Sequence, residues 1–334
     1  MTATSLASTF ASGAAGPSRW GRTGIVIVLV AMAWALAGCA GSRLVSPWAG
    51  TPVSRGRASL NRPPRYAVTE RVLTLVDSSR LIRLPGRRPQ PRRLVTVVRY
   101  PEHATGPFPL IVFGHGFAVT PAYYFRLLRA WAQAGYVVAA PVFPLGNAHA
   151  PGGPDEADIV NQPRDMSFVI TRMLAASADR HSPLAGLIDP RRVAVSGQSD
   201  GGETALAVAY DRYYVDRRVR AAIILSGAEI PGVGGFDFPA PSPPLLATQG
   251  TADSINRPQS TYAFFGLAPR PKYLLKLLGA GHLPPYTYEQ PQLSIVERVT
   301  IAFLDRYLKD APRGVARMIA AGDVAGRAVL VARR

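Results

Sequence analysis

Cysteine is nearly missing from this chain. Cys39 stands alone among 334 residues, so no disulfide can form within the chain and a cysteine-based zinc site is excluded. Lysine is almost as scarce, occurring only at Lys272, Lys276 and Lys309, so the formal charge of +17 is carried by arginine. Such an excess favours anionic surfaces: phospholipid headgroups, acidic polymers or nucleic acid. A GC-rich coding bias would also enrich arginine. No cluster of histidine, cysteine or carboxylate residues has the spacing of a metal site, and neither a P-loop nor a dinucleotide-binding glycine pattern occurs. No cofactor and no metal are therefore expected. A long hydrophobic run is lacking too. The apolar stretch from Gly24 to Leu36 has 13 residues, which suits a signal-peptide core and is short for a membrane span.

What surrounds that stretch is informative. Arg19 and Arg22 precede it, and it ends in Leu36-Ala37-Gly38-Cys39, the pattern of a bacterial lipobox, whose cysteine is diacylated and becomes the new N-terminus. The expectation is a lipoprotein signal peptide over 1–38, lipidation of Cys39, and a membrane-anchored protein facing outside the cytoplasm. A buried or chance cysteine behind an ordinary signal peptide is the alternative. The two arginines are separated, so a Sec-type rather than a twin-arginine route is expected. Export removes nucleic acid as a partner. Residues 39–65 are rich in Gly, Ser, Pro and Arg without periodicity and read as a flexible tether. Eleven arginines lie between Arg55 and Arg93, opposed only by Glu70 and Asp77. They form either a solvated, codon-biased segment or a basic surface resting on anionic headgroups.

The folded domain is expected over 66–312. Apolar runs at Arg71–Val76, Leu94–Tyr100, Pro107–Phe113, Tyr136–Pro141, Val193–Val195, Val219–Ser226, Pro243–Gly250 and Lys272–Leu278 read as strands. Helical stretches follow at Tyr124–Ala134, Asp158–Ala176, Glu203–Ala209, Ser260–Leu267 and Pro291–Leu308. Apolar strands alternating with helices predict an α/β domain with a mostly parallel sheet covered on both faces. Residues 313–334 read as a final helix and a loose end.

The organising stretch is Arg192 to Gly202. A buried strand runs into Gly197-Gln198-Ser199-Asp200-Gly201 and then a helix. A serine on such a turn occupies a strained backbone position, and side chains at the flanking positions would clash, so glycine fits there. The helix aims free N–H groups and its positive dipole end at the serine. Two further elements lie just beyond strand ends: Gln249-Gly250-Thr251-Ala252-Asp253 and Gly279-Ala280-Gly281-His282. Parallel strands end at one crevice, so Ser199, Asp253 and His282 can meet there as nucleophile, orienting acid and general base. Asp237 is the rival acid. The oxyanion donors expected are the backbone N–H groups of Asp200 and Phe117, with His115 structuring the loop. His103 and His181 read as surface residues.

Together, Phe113-Gly114-His115-Gly116-Phe117, Gln162-Pro163-Arg164-Asp165, Gly197-Gln198-Ser199-Asp200-Gly201-Gly202, Gly250-Thr251-Ala252-Asp253 and Gly281-His282 resemble the α/β-hydrolase family from about Tyr66 to Asp310. More narrowly, the chain resembles the branch holding chlorophyllases, cutinase-like polyester hydrolases and platelet-activating-factor acetylhydrolases. The resemblance implies the α/β-hydrolase fold, a Ser-His-Asp triad, an acyl-enzyme and no cofactor. Gln198 departs from the histidine or tryptophan of many members. Asp200 replaces commoner small or hydrophobic residues and adds negative charge near the oxyanion.

Only about 17 residues, Gly227 to Pro243, separate two strands where a lid would enter, so no large lid is expected. Tyr123, Phe143, His149, Gln198, Phe236 and Phe238 are candidates to line an open cleft, although each aromatic would serve equally as core. The expectation is an exported, lipid-anchored serine esterase acting on acyl or lipid-like esters. The same residues would serve a depolymerase, thioesterase or acyltransferase, and an inactive hydrolase fold would serve as a surface-binding lipoprotein.

Overall fold

The computed structural model describes residues 65–84, 86–230, 232–233 and 237–334. The signal peptide, Cys39, most of the tether and Phe236 lie outside the described residues. Among the described residues nine strands form one sheet: β1 (Val68–Ile82), β2 (Gln90–Pro101), β3 (Phe108–Gly114), β4 (Val137–Val142), β5 (Ile188–Gln198), β6 (Val219–Leu225), β7 (Leu245–Gly250), β8 (Lys272–Leu277) and β9 (Ala328–Arg333). Their order is β1-β2-β4-β3-β5-β6-β7-β8-β9. The six strands from β4 to β8 run parallel, and β1, β2 and β9 are antiparallel to their neighbours. The α/β-hydrolase architecture expected from the sequence is thus present. The expected loose end is instead a strand, with β9 pairing along the whole of β8 and closing that edge of the sheet.

Helices α1 (Phe125–Gln133), α2 (Gln162–Ala178), α3 (Asp200–Tyr210), α4 (Pro258–Leu267), α5 (Gln292–Leu308) and α6 (Gly314–Gly322) cover the sheet. The strand period of two divides the core cleanly. Along β3, Ile111 and Phe113 face α1 and α5, whereas Leu110 and Val112 face α2 and α3. Among the described residues no helix or strand intervenes between β6 and β7, and no large lid is seen. Glu203, buried on α3, accepts a hydrogen bond from the Ile230 N–H at 2.7 Å and so holds part of that short connection.

The long β1–β2 hairpin carries arginine into the interior. Arg92 is 2% exposed and donates to both Asp158, at 2.8 Å from Nη1, and Asp165, at 2.7 Å from Nε. Arg80 adds a second donor to Asp165 at 2.7 Å and one to the Asn161 carbonyl at 3.2 Å. Asp165 belongs to the Gln162-Pro163-Arg164-Asp165 motif, and Gln162 accepts from Thr204 of α3 at 2.9 Å. The motif therefore ties the hairpin to α2 and α2 to the helix behind Ser199. Removing one partner of a buried ion pair leaves the other uncompensated, which costs about 3–5 kcal/mol. Arg92→Met is expected to lower Tm by roughly 10 °C. A thermal melt within two or so degrees of the parent would show that the network contributes little.

Candidate active site

Ser199 sits between β5 and α3 at φ 55° and ψ −126°, a region that costs a non-glycine residue about 1–3 kcal/mol. The surrounding backbone enforces it. A Cβ on Gly197 would lie 1.9 Å from the Gly201 carbonyl oxygen, and one on Gly201 would lie 2.1 Å from that of Gly114. β3, β5 and α3 therefore meet in a crossing that only glycine permits at those positions.

Two loops beyond β7 and β8 meet in the same way. The Ala252 N–H donates to the Ala280 carbonyl at 3.0 Å, and the Gly279 N–H to Thr251 Oγ1 at 2.8 Å. This pairing brings His282 Nδ1 to 2.8 Å from Asp253 Oδ2. The Asp253 carboxylate is further held by the backbone N–H groups of Ile255 and Asn256, each at 3.0 Å, and by Gln249 Nε2 at 3.1 Å. Burial pushes its pKa up, but the hydrogen bonds, led by that of His282, prevail and hold it below the usual carboxylate value. An ionised Asp253 places the proton on Nδ1 and leaves Nε2 as the acceptor. Asp237 is elsewhere, paired with Arg212.

His282 and Ser199 approach through the residue between them in space, Gln198. Its side-chain Nε2 lies 3.2 Å from His282 Nε2 and donates to the His282 carbonyl at 3.1 Å. Its Oε1 accepts from the Tyr124 hydroxyl at 2.7 Å, and that hydroxyl accepts from the Gly116 N–H at 3.2 Å. A continuous hydrogen-bonded chain thus runs from the loop after β3 to His282. Ser199 and His282 make no direct hydrogen bond here; the Gln198 amide faces the imidazole nitrogen instead.

His115 is fully buried. Its Nε2 accepts from the Phe143 N–H at 3.0 Å and its Nδ1 donates to the Gly116 carbonyl at 2.7 Å. Burial lowers its pKa to about 4, so it stays neutral and stitches the loop to the end of β4. Phe143 is buried against that ring, behind the loop rather than in a cleft. Phe238 packs on Tyr210 at the other end of α3, about 15 Å along the helix from Ser199. Tyr123 and His149 are exposed, Phe117 is half-buried, and Gln198 is buried. Tyr124, Gln249 and Asn256 complete the hydrogen-bonding around these groups, and nothing in their spacing marked them in advance. Tyr286, whose hydroxyl meets Ser226 at 2.9 Å and Thr248 at 3.1 Å beneath the Asp253 loop, was equally silent.

The sheet, the strained serine turn and the paired loops define an α/β-hydrolase. The chlorophyllase family model matches residues 76–243, and the chain belongs to that family. It is similar to Chlorophyllase-2 of Arabidopsis thaliana, with 26% identity over 180 residues, 53% of this chain and 52% of that protein. The chain thus spans about half the length of that curated relative.

Asp200 stands out by its charge. It is 5% exposed and its Oδ2 has no partner among the described residues. Burial, with a contribution from nearby Glu156, raises its pKa to about 6. Above that pH a negative charge stands beside the turn. If negative charge develops there during reaction, ionised Asp200 opposes it by ~1 kcal/mol, about fivefold in rate. In a hydrolysis assay the Asp200→Asn variant is therefore expected to match the parent at pH 5 and exceed it about fivefold at pH 8. A variant-to-parent ratio that does not change across the two pH values would contradict this.

Proposed function

We propose that the protein is an exported, lipid-anchored serine hydrolase that cleaves carboxylic esters through Ser199, His282 and Asp253. The observation that carries this reading is the position of His282 Nε2, 3.2 Å from the side chain of the residue preceding the strained Ser199, with Nδ1 on a buried carboxylate. In this mechanism substrate entry shifts the Gln198 amide from Nε2, and the Ser199 hydroxyl takes its place. Ser199 Oγ attacks the ester carbonyl while His282 accepts its proton, and Asp253 stabilises the imidazolium. The oxyanion is received by the backbone N–H groups of Asp200 and Phe117. Collapse expels the alcohol, protonated by His282, and leaves an acyl-Ser199. Water, deprotonated by His282, then releases the acid and restores the serine.

Apolar side chains near the proposed site favour acyl esters over polar substrates. Ile255 is 69% exposed two residues from Asp253, Tyr288 is 63% exposed six residues from His282, and Tyr123 is 54% exposed on the turn before α1. Without a large lid the site would accept bulky or surface-presented esters. Anchoring through Cys39 would keep the enzyme at a membrane.

A fluorophosphonate probe tests the chemistry. The parent should be labelled and Ser199→Ala should not, while Asp253→Asn should lose about 10⁴ in kcat on p-nitrophenyl esters. A folded parent that resists labelling would instead favour a binding role. The anchor has its own check. Cys39→Ala should abolish incorporation of labelled palmitate and leave the 1–38 segment uncleaved, and undiminished incorporation into that variant would refute the lipobox assignment.

A further inference from the structure

Beside the tip of the β1–β2 hairpin lies a groove of about 240 Å³. Its apolar surface comes from Ile82, Leu84 and Val95 of the hairpin region and from Val142 and Leu145 at the end of β4. Arg87, Arg88 and Arg93 line it as well. From residue 83 to 93 the chain has five arginines and no acidic residue. Their partners differ sharply. Arg92 points inward and is saturated by Asp158 and Asp165. The side chains of Arg87, Arg88 and Arg93 are exposed, and none makes an ion pair or hydrogen bond with a described residue. Three guanidinium groups around an apolar groove, with no carboxylate among its lining residues, call for an anion carrying apolar substance.

The outer face of the hairpin extends the apolar surface. Val72, Val76 and Val95 are 61%, 39% and 42% exposed. Register places Val76 opposite Arg93, Thr74 opposite Val95 and Val72 opposite Val97, so the valines form one strip running out from the groove. Isolated soluble anions would leave that strip unused, and a neutral apolar ligand would leave the arginines unused. The groove is also smaller than the ~300 Å³ at which pockets enclose a drug-sized ligand. An amphiphile bound here would leave most of its chain outside, where only a bilayer can receive it.

The groove opens on the same rim of the sheet as Ser199. It is lined by residues just past the C-terminal end of β4, and the segment forming that wall hydrogen-bonds to the loop after β3: Ala118 N–H to the Gly146 carbonyl at 2.9 Å, and Ala148 N–H to the Val119 carbonyl at 3.3 Å. We propose that this groove is a docking site for anionic phospholipid headgroups, with Arg87, Arg88 and Arg93 on the phosphate and the valine strip resting at the headgroup–acyl boundary. Docking would turn the rim that carries Ser199 toward the lipid surface. It would add a non-covalent contact to the proposed anchor, since two weak attachments hold a protein at a membrane far better than one. The binding itself does not depend on the proposed chemistry.

The test uses the full chain carrying Cys39→Ser, so that no acyl chain contributes, and measures sedimentation with vesicles of phosphatidylcholine alone or with added phosphatidylglycerol. The protein should favour the anionic vesicles. Combined Arg87→Gln, Arg88→Gln and Arg93→Gln should weaken that partition by at least about tenfold, as three arginines at a charged surface contribute. A charge-matched control, combined Arg191→Gln, Arg313→Gln and Arg327→Gln, should change it by no more than about twofold. Unaltered melting of both triple variants confirms folding, and Ser199→Ala should bind as the parent does, which separates this site from the esterase reading. Equal losses in the two triple variants would reduce the effect to net charge and overturn the proposal. So would a groove variant that binds as well as its parent, a parent indifferent to phosphatidylglycerol, or full displacement by glycerol phosphate at concentrations matching the lipid.

Discussion

At Gly114, Gly197 and Gly201 three backbone segments cross at distances that leave no room for a Cβ, and the rest of the rim is measured from that crossing. It sets where α3 begins and forces Ser199 to φ 55°. The strain there is sustained because β5 is paired on both sides, by β3 and β6, and cannot relax without breaking register. The same crossing holds the loop after β3 against the serine turn: a Cβ on Gly116 would come within 3.2 Å of the Ser199 Cβ. A second crossing, where Gly250 lies against the Ala280 carbonyl, does for Asp253 and His282 what the first does for Ser199. The first crossing uses no polar side chain, and the second adds one, the Thr251 hydroxyl that accepts from the Gly279 N–H. Position is fixed by shape, and the polar groups are then placed on a rigid frame.

The arginines fall into two populations that physics treats differently. Arg92 and Arg80 enter the interior, where a guanidinium must be matched by carboxylates in fork geometry, and Asp158, Asp165 and Asp77 supply them. Arg87, Arg88 and Arg93 at the hairpin tip are exposed and make no ion pair with a described residue. Several carboxylates are buried, among them Asp158, Asp165, Asp200, Glu203 and Asp253. Asp200 and Glu203 occupy the first turn of α3, where the helix dipole favours anions. Burial nevertheless raises both pKa values, that of Glu203 well above its ordinary value. The serine turn thus lies in a local acidic environment within a strongly basic protein.

Much of this was legible because it rests on backbone periodicity. Apolar runs marked all eight strands up to β8; the six parallel ones are largely buried and have little polar option, and Gly-x-Ser-x-Gly marked the turn since glycine is obligatory there. β9 was hidden. Ala328–Arg333 mixes valine and leucine with alanine and arginine, as an edge strand half open to solvent does, and the single glycine before it, Gly326 at φ 66°, is a weak turn signal. The aromatic side chains were the least legible. Phe143 and Phe238 followed plausible loops, but side-chain direction depends on packing partners far away in sequence: His115 for the one and Tyr210 for the other. Tyr124 was read only as the start of a helix, and the fold shows both its burial and its hydroxyl reaching Gln198.

Gln198 gives that last contact its meaning. An amide carries a donor and an acceptor on one planar group, so it can accept from the Tyr124 hydroxyl while its nitrogen faces the imidazole. A histidine at this position could join the same two partners only in one neutral tautomer, and a tryptophan, with a donor alone, could not accept from Tyr124 at all. The departure from the residues common in similar proteins therefore has a physical content: glutamine couples the loop after β3 to His282 without any change of protonation. Because the donor on Gln198 requires a bare Nε2, and Asp253 requires the proton on Nδ1, both neighbours select one tautomer of His282. That tautomer is the one able to accept a proton from a hydroxyl, so the resting hydrogen bonds and the proposed chemistry ask the same thing of the ring.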